Sequence, residues 1–128
     1  MKVLGFEEAI TTCDCCGKAK LKGTFAVERN DGEILYYGSV CVTRHTGKAA
    51  KAVRQEARDA TEARRQLASK ELAEHPATIA DRLKMQEGHK RGLRPPEFIE
   101  FHREELAAAE EVRREIAAKY GLKPYQLY

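Results

Sequence analysis

The chain has 128 residues, a formal net charge of +3, 34% charged residues, 7% aromatic residues and no Trp. That length suits one domain, or a small domain with an extension, and so few large apolar side chains build only a modest core that a metal staple would support. The slight positive balance neither demands nor excludes a polyanionic partner, while the absence of a signal-peptide apolar stretch in residues 1–10 and of any membrane-length apolar run points to a cytoplasmic protein with no membrane partner.

Residues 12–41 contain all four cysteines together with Gly17, Gly23, Gly32 and Gly38. Within them, Thr24–Arg29 and Glu33–Val40 are rich in Phe, Val, Ile, Leu and Tyr and flank Asn30-Asp31-Gly32, which predicts a β-hairpin because positive φ is cheap at those turn residues. From Cys41 to Glu74 the composition turns to Ala, Arg, Lys, Glu and Gln, a helix-forming mixture. The segment is either one helix about 50 Å long or, if Gly47 interrupts it, a short ligand-bearing turn and a long helix from Lys48. Ala49, Val53, Ala57, Ala60, Ala63 and Leu67 form its apolar stripe, small enough for close packing on another helix or for self-association. His75-Pro76 ends it, a shorter helix over 77–87 follows with Ile79 and Leu83 marking one face, and Gly88 and Gly92 bracket a basic linker. Pro95-Pro96 opens a third helix reaching Lys119, with Ile99, His102, Leu106, Ala109, Val112, Ile116 and Tyr120 as its stripe, Gly121 as its cap and Pro124 beyond. The aromatic ending, Tyr125 to Tyr128, either docks on the body or binds a partner. The fold class expected is α+β: a small module over residues 1–47, then a long helical hairpin or small bundle over 48–128.

Cysteine pairs in an intracellular protein are more often metal ligands than disulfides. Cys13 and Cys16 form a C-x-x-C followed by Gly17, so one tight turn aims two sulfurs at one point. Cys41 and His45, four apart, share a helix face. A thiolate in the first helical turn also gains from the unpaired N–H groups there. This is the pattern of a structural Zn2+ site with no position left for water. Cys15 lies between the knuckle ligands and should point away. His45 is the arguable member: as a solvated helix histidine it would leave the fourth position to Cys15 or to an outside ligand.

The sequence C-D-C-C-G-K, the hairpin T-F-A-V-E-R-N-D-G-E-I-L-Y-Y-G and C-V-T-R-H at a helix start together resemble a treble-clef zinc finger over residues 12–47. C-x-x-C-G-K-x-x-L-K-G-T followed by Y-G-S-V-C also resembles small zinc-knuckle proteins of bacteriophages and actinobacteria. The resemblance implies zinc on Cys13, Cys16, Cys41 and a fourth ligand at or near His45. It implies no single activity, because that fold hosts many. A phage-encoded copy would work in the host cytoplasm.

Residues 42–74 hold eight Lys/Arg against five acids, and residues 95–120 hold four against seven. Arg44, Lys48, Lys51, Arg54 and Arg58, with Lys18, Lys20 and Lys22 after the knuckle, form the candidate phosphate-contacting surface. Tyr36 and Tyr37 could add base stacking. The competing explanation is a solvated helix face, or a first helix pairing its charges with the acidic third. No nuclease-like His pair, G-x-S-x-G or Walker loop is present, so a non-enzyme is expected. The sequence favours a nucleic-acid-binding protein, with a protein-interaction adaptor engaging host machinery through the helical arm and aromatic C-terminus as the alternative.

Overall fold

A computed structural model describes all 128 residues, Met1–Tyr128. The fold is α+β. Three strands, β1 (Lys2–Glu7), β2 (Thr24–Glu28) and β3 (Ile34–Tyr37), precede five helices, α1 (Ser39–Thr46), α2 (Ala50–Glu74), α3 (Pro76–Lys90), α4 (Pro95–Phe101) and α5 (Arg103–Lys119), and a final 3-10 turn, Pro124–Gln126. The chain divides into two compact units, Met1–Ala63 and Arg64–Tyr128. No helix is long and apolar enough to cross a membrane.

In the first unit the expected hairpin forms, with Val27 opposite Leu35 and Phe25 opposite Tyr37. Gly32 takes the positive φ, +87°, that the turn requires. A third strand, β1, was not anticipated. It pairs antiparallel with β2, Val3 opposite Val27, and a bulge between Val3 and Gly5 shifts the register. Val3 and Val27 are fully buried, and Phe25, Tyr37, Cys13, Cys41, Val42, Val53 and Ala57 complete the core. Alternation on a pleated strand brings Phe25 and Val27 to one face, and the short side chains Val53 and Ala57 let α2 approach.

The helix beginning near Cys41 is broken, as the second of the two sequence expectations has it. Gly47 adopts φ +69° as the left-handed cap of α1, its N–H bonding to the Thr43 carbonyl, and α2 starts afresh at Ala50. Lys48, between the two, donates to Glu56 at 2.5 Å, and the other Glu56 oxygen accepts from the Val3 N–H at 3.3 Å. One carboxylate thus ties β1, the interhelical link and α2 together.

The second unit is helical. Ala68 and Leu72 at the end of α2 pack with Ile116 and Ala117 of α5, Leu122 and Leu127. The apolar stripe of α2 therefore passes from Val53 and Ala57 to Ala68 and Leu72, and Leu67 faces solvent at 58% exposure. His75 caps α3 with its own ring, Nδ1 accepting from the Ala77 N–H at 3.1 Å. The basic linker expected between Gly88 and Gly92 starts later, at residues 91–94, because α3 continues through Lys90. Gly88 is buried in α3, and an added Cβ would fall 2.8 Å from the Phe98 ring.

The expected third helix is two helices. The His102 Nδ1–H donates to the Phe98 carbonyl at 2.6 Å, taking the acceptor that the His102 backbone N–H would use in a continuous helix. Helical bonding resumes with the Leu106 N–H on the His102 carbonyl. His102 is buried, on the stripe expected for it. Schellman-type closure at Gly121 (φ +66°), with the Leu122 N–H on the Ala117 carbonyl, returns the chain toward α5. The C-terminus docks: Leu127 is buried, the Tyr128 N–H bonds to Ser69, and the Arg65 guanidinium lies 4.1 Å over the Tyr128 ring.

The inward face of α3 is not the predicted one. Ile79 and Leu83 are exposed at 42% and 60%, while Thr78, Asp81 and Met85 are half-buried and Gly88 is buried. Glu71 of α2 pairs with Lys119 of α5 at 2.7 Å, with the signs opposite to expectation.

Two carboxylates give opposite pH signatures. Hydrogen bonding from Lys48, then from Val3, holds Glu56 below its usual range. Its stabilisation is complete above the unfolded pKa and lost as pH falls through the folded one. Glu56→Gln is expected to cost about 1 kcal/mol near neutrality and nothing in strong acid, as read by denaturant unfolding at both pH values. Burial pushes Asp81 up, and its Oδ1 has no partner. The folded state disfavours the ionised form, a penalty that sets in as pH rises through the unfolded pKa and is complete above the folded one. Asp81→Asn should therefore raise stability by about 1 kcal/mol near neutrality and lose that advantage in acid.

Candidate metal centre

The sulfurs of Cys13, Cys16 and Cys41 all lie within 4.8 Å of one another. Tetrahedral zinc at about 2.3 Å from each sulfur needs sulfurs about 3.8 Å apart, so a small inward shift of free thiols suffices. Cys13 and Cys41 are buried, Cys16 is exposed, and none is in a disulfide. Three soft donors at this spacing could hold a metal ion, and zinc is consistent with them.

Local backbone chemistry builds the cluster. The Gly17 N–H bonds back to the Cys13 carbonyl at 2.9 Å, and Gly17 takes φ +74° to close that turn. Asp14 clamps the turn to β3 through two bonds of 2.8 Å: its N–H to the Tyr36 carbonyl, and the Tyr36 N–H to its own carboxylate. Cys41 stands in the first turn of α1, which starts after Gly38. A Cβ on Gly38 would sit 3.2 Å from Leu21 and 3.8 Å from the Cys13 Cβ, so glycine there lets the backbone pass close to the ligand. Gly38 is one of the glycines expected at turns or close approaches, whereas Asp14 acts across a fold contact that chain order does not display.

Burial by itself would push the Cys13 thiol up. N–H groups of Cys16, Gly38 and Cys15 and the Cys41 thiol outweigh it and bring Cys13 to about 7. Cys41, by contrast, is pushed up to about 12, first by burial and then by its hydrogen bonds with Cys13, Cys16 and Cys15. The Cys13 thiol thus gives up its proton readily while Cys41 holds its own, which a divalent ion would have to displace.

Beside this group stands a second pair. The Cys15 Sγ lies 3.1 Å from His45 Nε2, and the His45 ring stacks on Tyr37 with centroids 4.9 Å apart and planes 21° apart. Three of the four predicted ligands are therefore within metal-binding distance of each other, and His45 contacts Cys15. Cys15 is exposed and outside the three-sulfur group, and its sulfur contacts His45. Tyr37 is buried, which removes it as a stacking platform for a base.

The basic residues fall into two groups. Lys18, Lys20, Lys22, Arg44, Lys51, Arg54 and Arg58 are exposed. Lys51, Arg54 and Arg58, at steps of three and four, lie along α2 away from the buried Val53 and Ala57. Lys48 is engaged internally with Glu56.

Cys13→Ser and Cys41→Ser should each abolish zinc binding measured by metal analysis of the purified protein. With zinc at 1,000 times its Kd, the loss corresponds to about 4 kcal/mol of apparent stability, readable as a chelator-sensitive Tm in the parent and a chelator-insensitive one in the variants. Comparison of the chain with protein-family models, with curated proteins and with solved structures returns no match.

Proposed function

We propose that this chain is a non-catalytic, treble-clef-like binding module in which structural zinc, held by Cys13, Cys16 and Cys41 with a fourth donor from the Cys15–His45 pair, supports a basic surface that contacts nucleic-acid phosphates. The observation carrying the reading is the set of exposed cations on the cysteine-bearing unit. Arg44 on α1, Lys51, Arg54 and Arg58 on α2, and Lys18, Lys20 and Lys22 beyond the knuckle form no ion pair within the chain, whereas Arg29, Lys48, Arg91, Arg103, Arg114 and Lys119 each do. Exposed, unpaired Lys and Arg release counterions when they meet phosphates, which is how sequence-independent affinity arises. Lys48 leaves the proposed contact set because Glu56 holds it.

A protein-interaction role has one observation in its favour, the exposure of Ile79 and Leu83, four residues apart on α3. The docked Leu127 makes the C-terminal tail a weaker handle for a partner than its aromatic composition suggests.

Exchanging Lys51 and Arg54 for Glu should weaken binding to duplex and single-stranded oligonucleotides about equally across sequences. It should also flatten the salt dependence, log Kd against log salt losing a slope of about 2. Lys48→Gln should alter stability instead, leaving that slope unchanged. Salt-independent binding, or none, defeats the nucleic-acid reading. An Ile79→Asp/Leu83→Asp pair that changes the sedimentation coefficient or abolishes capture of a defined partner supports the other.

A further inference from the structure

Tyr36 and Tyr37 are neighbours on β3 but belong to opposite faces of the sheet. Tyr37 is buried on the face where Val42, Val53 and Ala57 of the helices join Val3, Phe25 and Val27. Alternation along the strand puts Tyr36 on the other face, where it is half-buried and Ile34, two residues away, is 49% exposed. We propose that Tyr36 stacks a nucleobase there, so that the phosphate-contacting surface takes single-stranded nucleic acid in preference to duplex. This inference deepens the nucleic-acid reading and rests on it.

The strand register leaves the ring accessible. Tyr36 is opposite Ala26, and Ala26 is opposite Gly5, so the row across the sheet beside the ring carries a methyl group and a hydrogen. Neither stands tall enough to screen the phenol. Tyr37 already stacks on His45 and Phe25 on Phe6, whereas Tyr36 has no ring partner within the chain. In a duplex each base face is covered by the next pair, so an unpaired base is the one that reaches such a ring.

A cation stands beside the platform. The knuckle runs along the outer edge of β3, Asp14 exchanging two hydrogen bonds of 2.8 Å with Tyr36. The preceding residue, Cys13, donates to the Lys18 carbonyl at 3.0 Å, which brings the exposed Lys18 to that same edge. Of the acids there, Asp14 is engaged by the Tyr36 N–H and Glu28 lies opposite Lys2. A strand with one base on Tyr36 therefore runs its phosphates past Lys18, toward the other unpaired cations of the unit.

Fluorescence anisotropy of the full chain with three labelled probes tests this: an oligothymidine, an abasic strand of the same length, and a hairpin duplex of equal phosphate count. The parent should bind the oligothymidine about 10-fold more tightly than the abasic strand, the share of one stacked base, and more tightly than the duplex. Tyr36→Ala should lose that 10-fold on oligothymidine, with abasic and duplex binding and the salt slope unchanged. Tyr36→Phe should keep the parent affinity. Equal binding of oligothymidine and abasic strand by the parent, or of strand and duplex, overturns the stacking assignment and leaves the phosphate reading standing. So does a Tyr36→Phe variant as weak as Tyr36→Ala. A parent chain that binds none of the three probes overturns the nucleic-acid reading itself.

Discussion

The convergence of three thiols on one point is the constraint on which the first unit depends. Its fully buried side chains are small, Val3, Val27, Val42, Val53, Thr24 and Cys13 being the largest of them. Phe25 and Tyr37 join them in a core that stays modest, the kind of core that a metal staple would support. Cys13 and Cys41 belong to that core and to the thiol cluster at once. A bound ion would therefore connect the knuckle, the sheet and α1 at their point of closest packing, adding binding free energy where hydrophobic burial is thin.

The remainder of the unit is arranged around that approach. Asp14 fastens the knuckle to β3, Gly38 clears the space beside Cys13, and Gly47 ends α1 one turn after the second ligand site. The break at Gly47 has a second effect, because it places Lys48 where it can meet Glu56 and, through Glu56, the strand at Val3. Lys48, one of the candidate basic residues, is consequently a structural residue, and the exposed cations lie on either side of it in the chain.

The Arg64–Tyr128 unit meets the same shortage of large apolar residues by other means. Side chains cap its backbone, as His75 does at α3 and His102 does at the α4–α5 break. Small residues bring helices close, with Ala68 and Ala117 fully buried and Gly88 against Phe98. Phe98 lies between His89 and His102, each ring centroid 4.7 Å away, so the aromatic density that composition lacks is concentrated at one junction. The cost is visible in Thr78 and Asp81, whose buried oxygens have no partners, while Ile79 and Leu83 face water.

What the sequence determined by itself was local. The hairpin around Asn30-Asp31-Gly32, the C-x-x-C-G turn, the stop at His75-Pro76 and the cap at Gly121 each follow from the conformational preferences of a few adjacent residues. That Cys13 and Cys16 would aim two sulfurs at one point was legible because a C-x-x-C-G turn limits their spacing, and Cys41 joins them in a group that could hold a metal. What only the tertiary structure decided depends on partners remote in the chain. The pairing of β1 with β2, the inward face of α3 and the diversion of Lys48 to Glu56 are settled by which surface arrives opposite. The Cys15–His45 contact is of that kind, because thirty residues of hairpin and helix must fold before the two meet. Periodicity identifies that a helix has faces; packing alone selects which one is buried, and in α3 it selected the polar one.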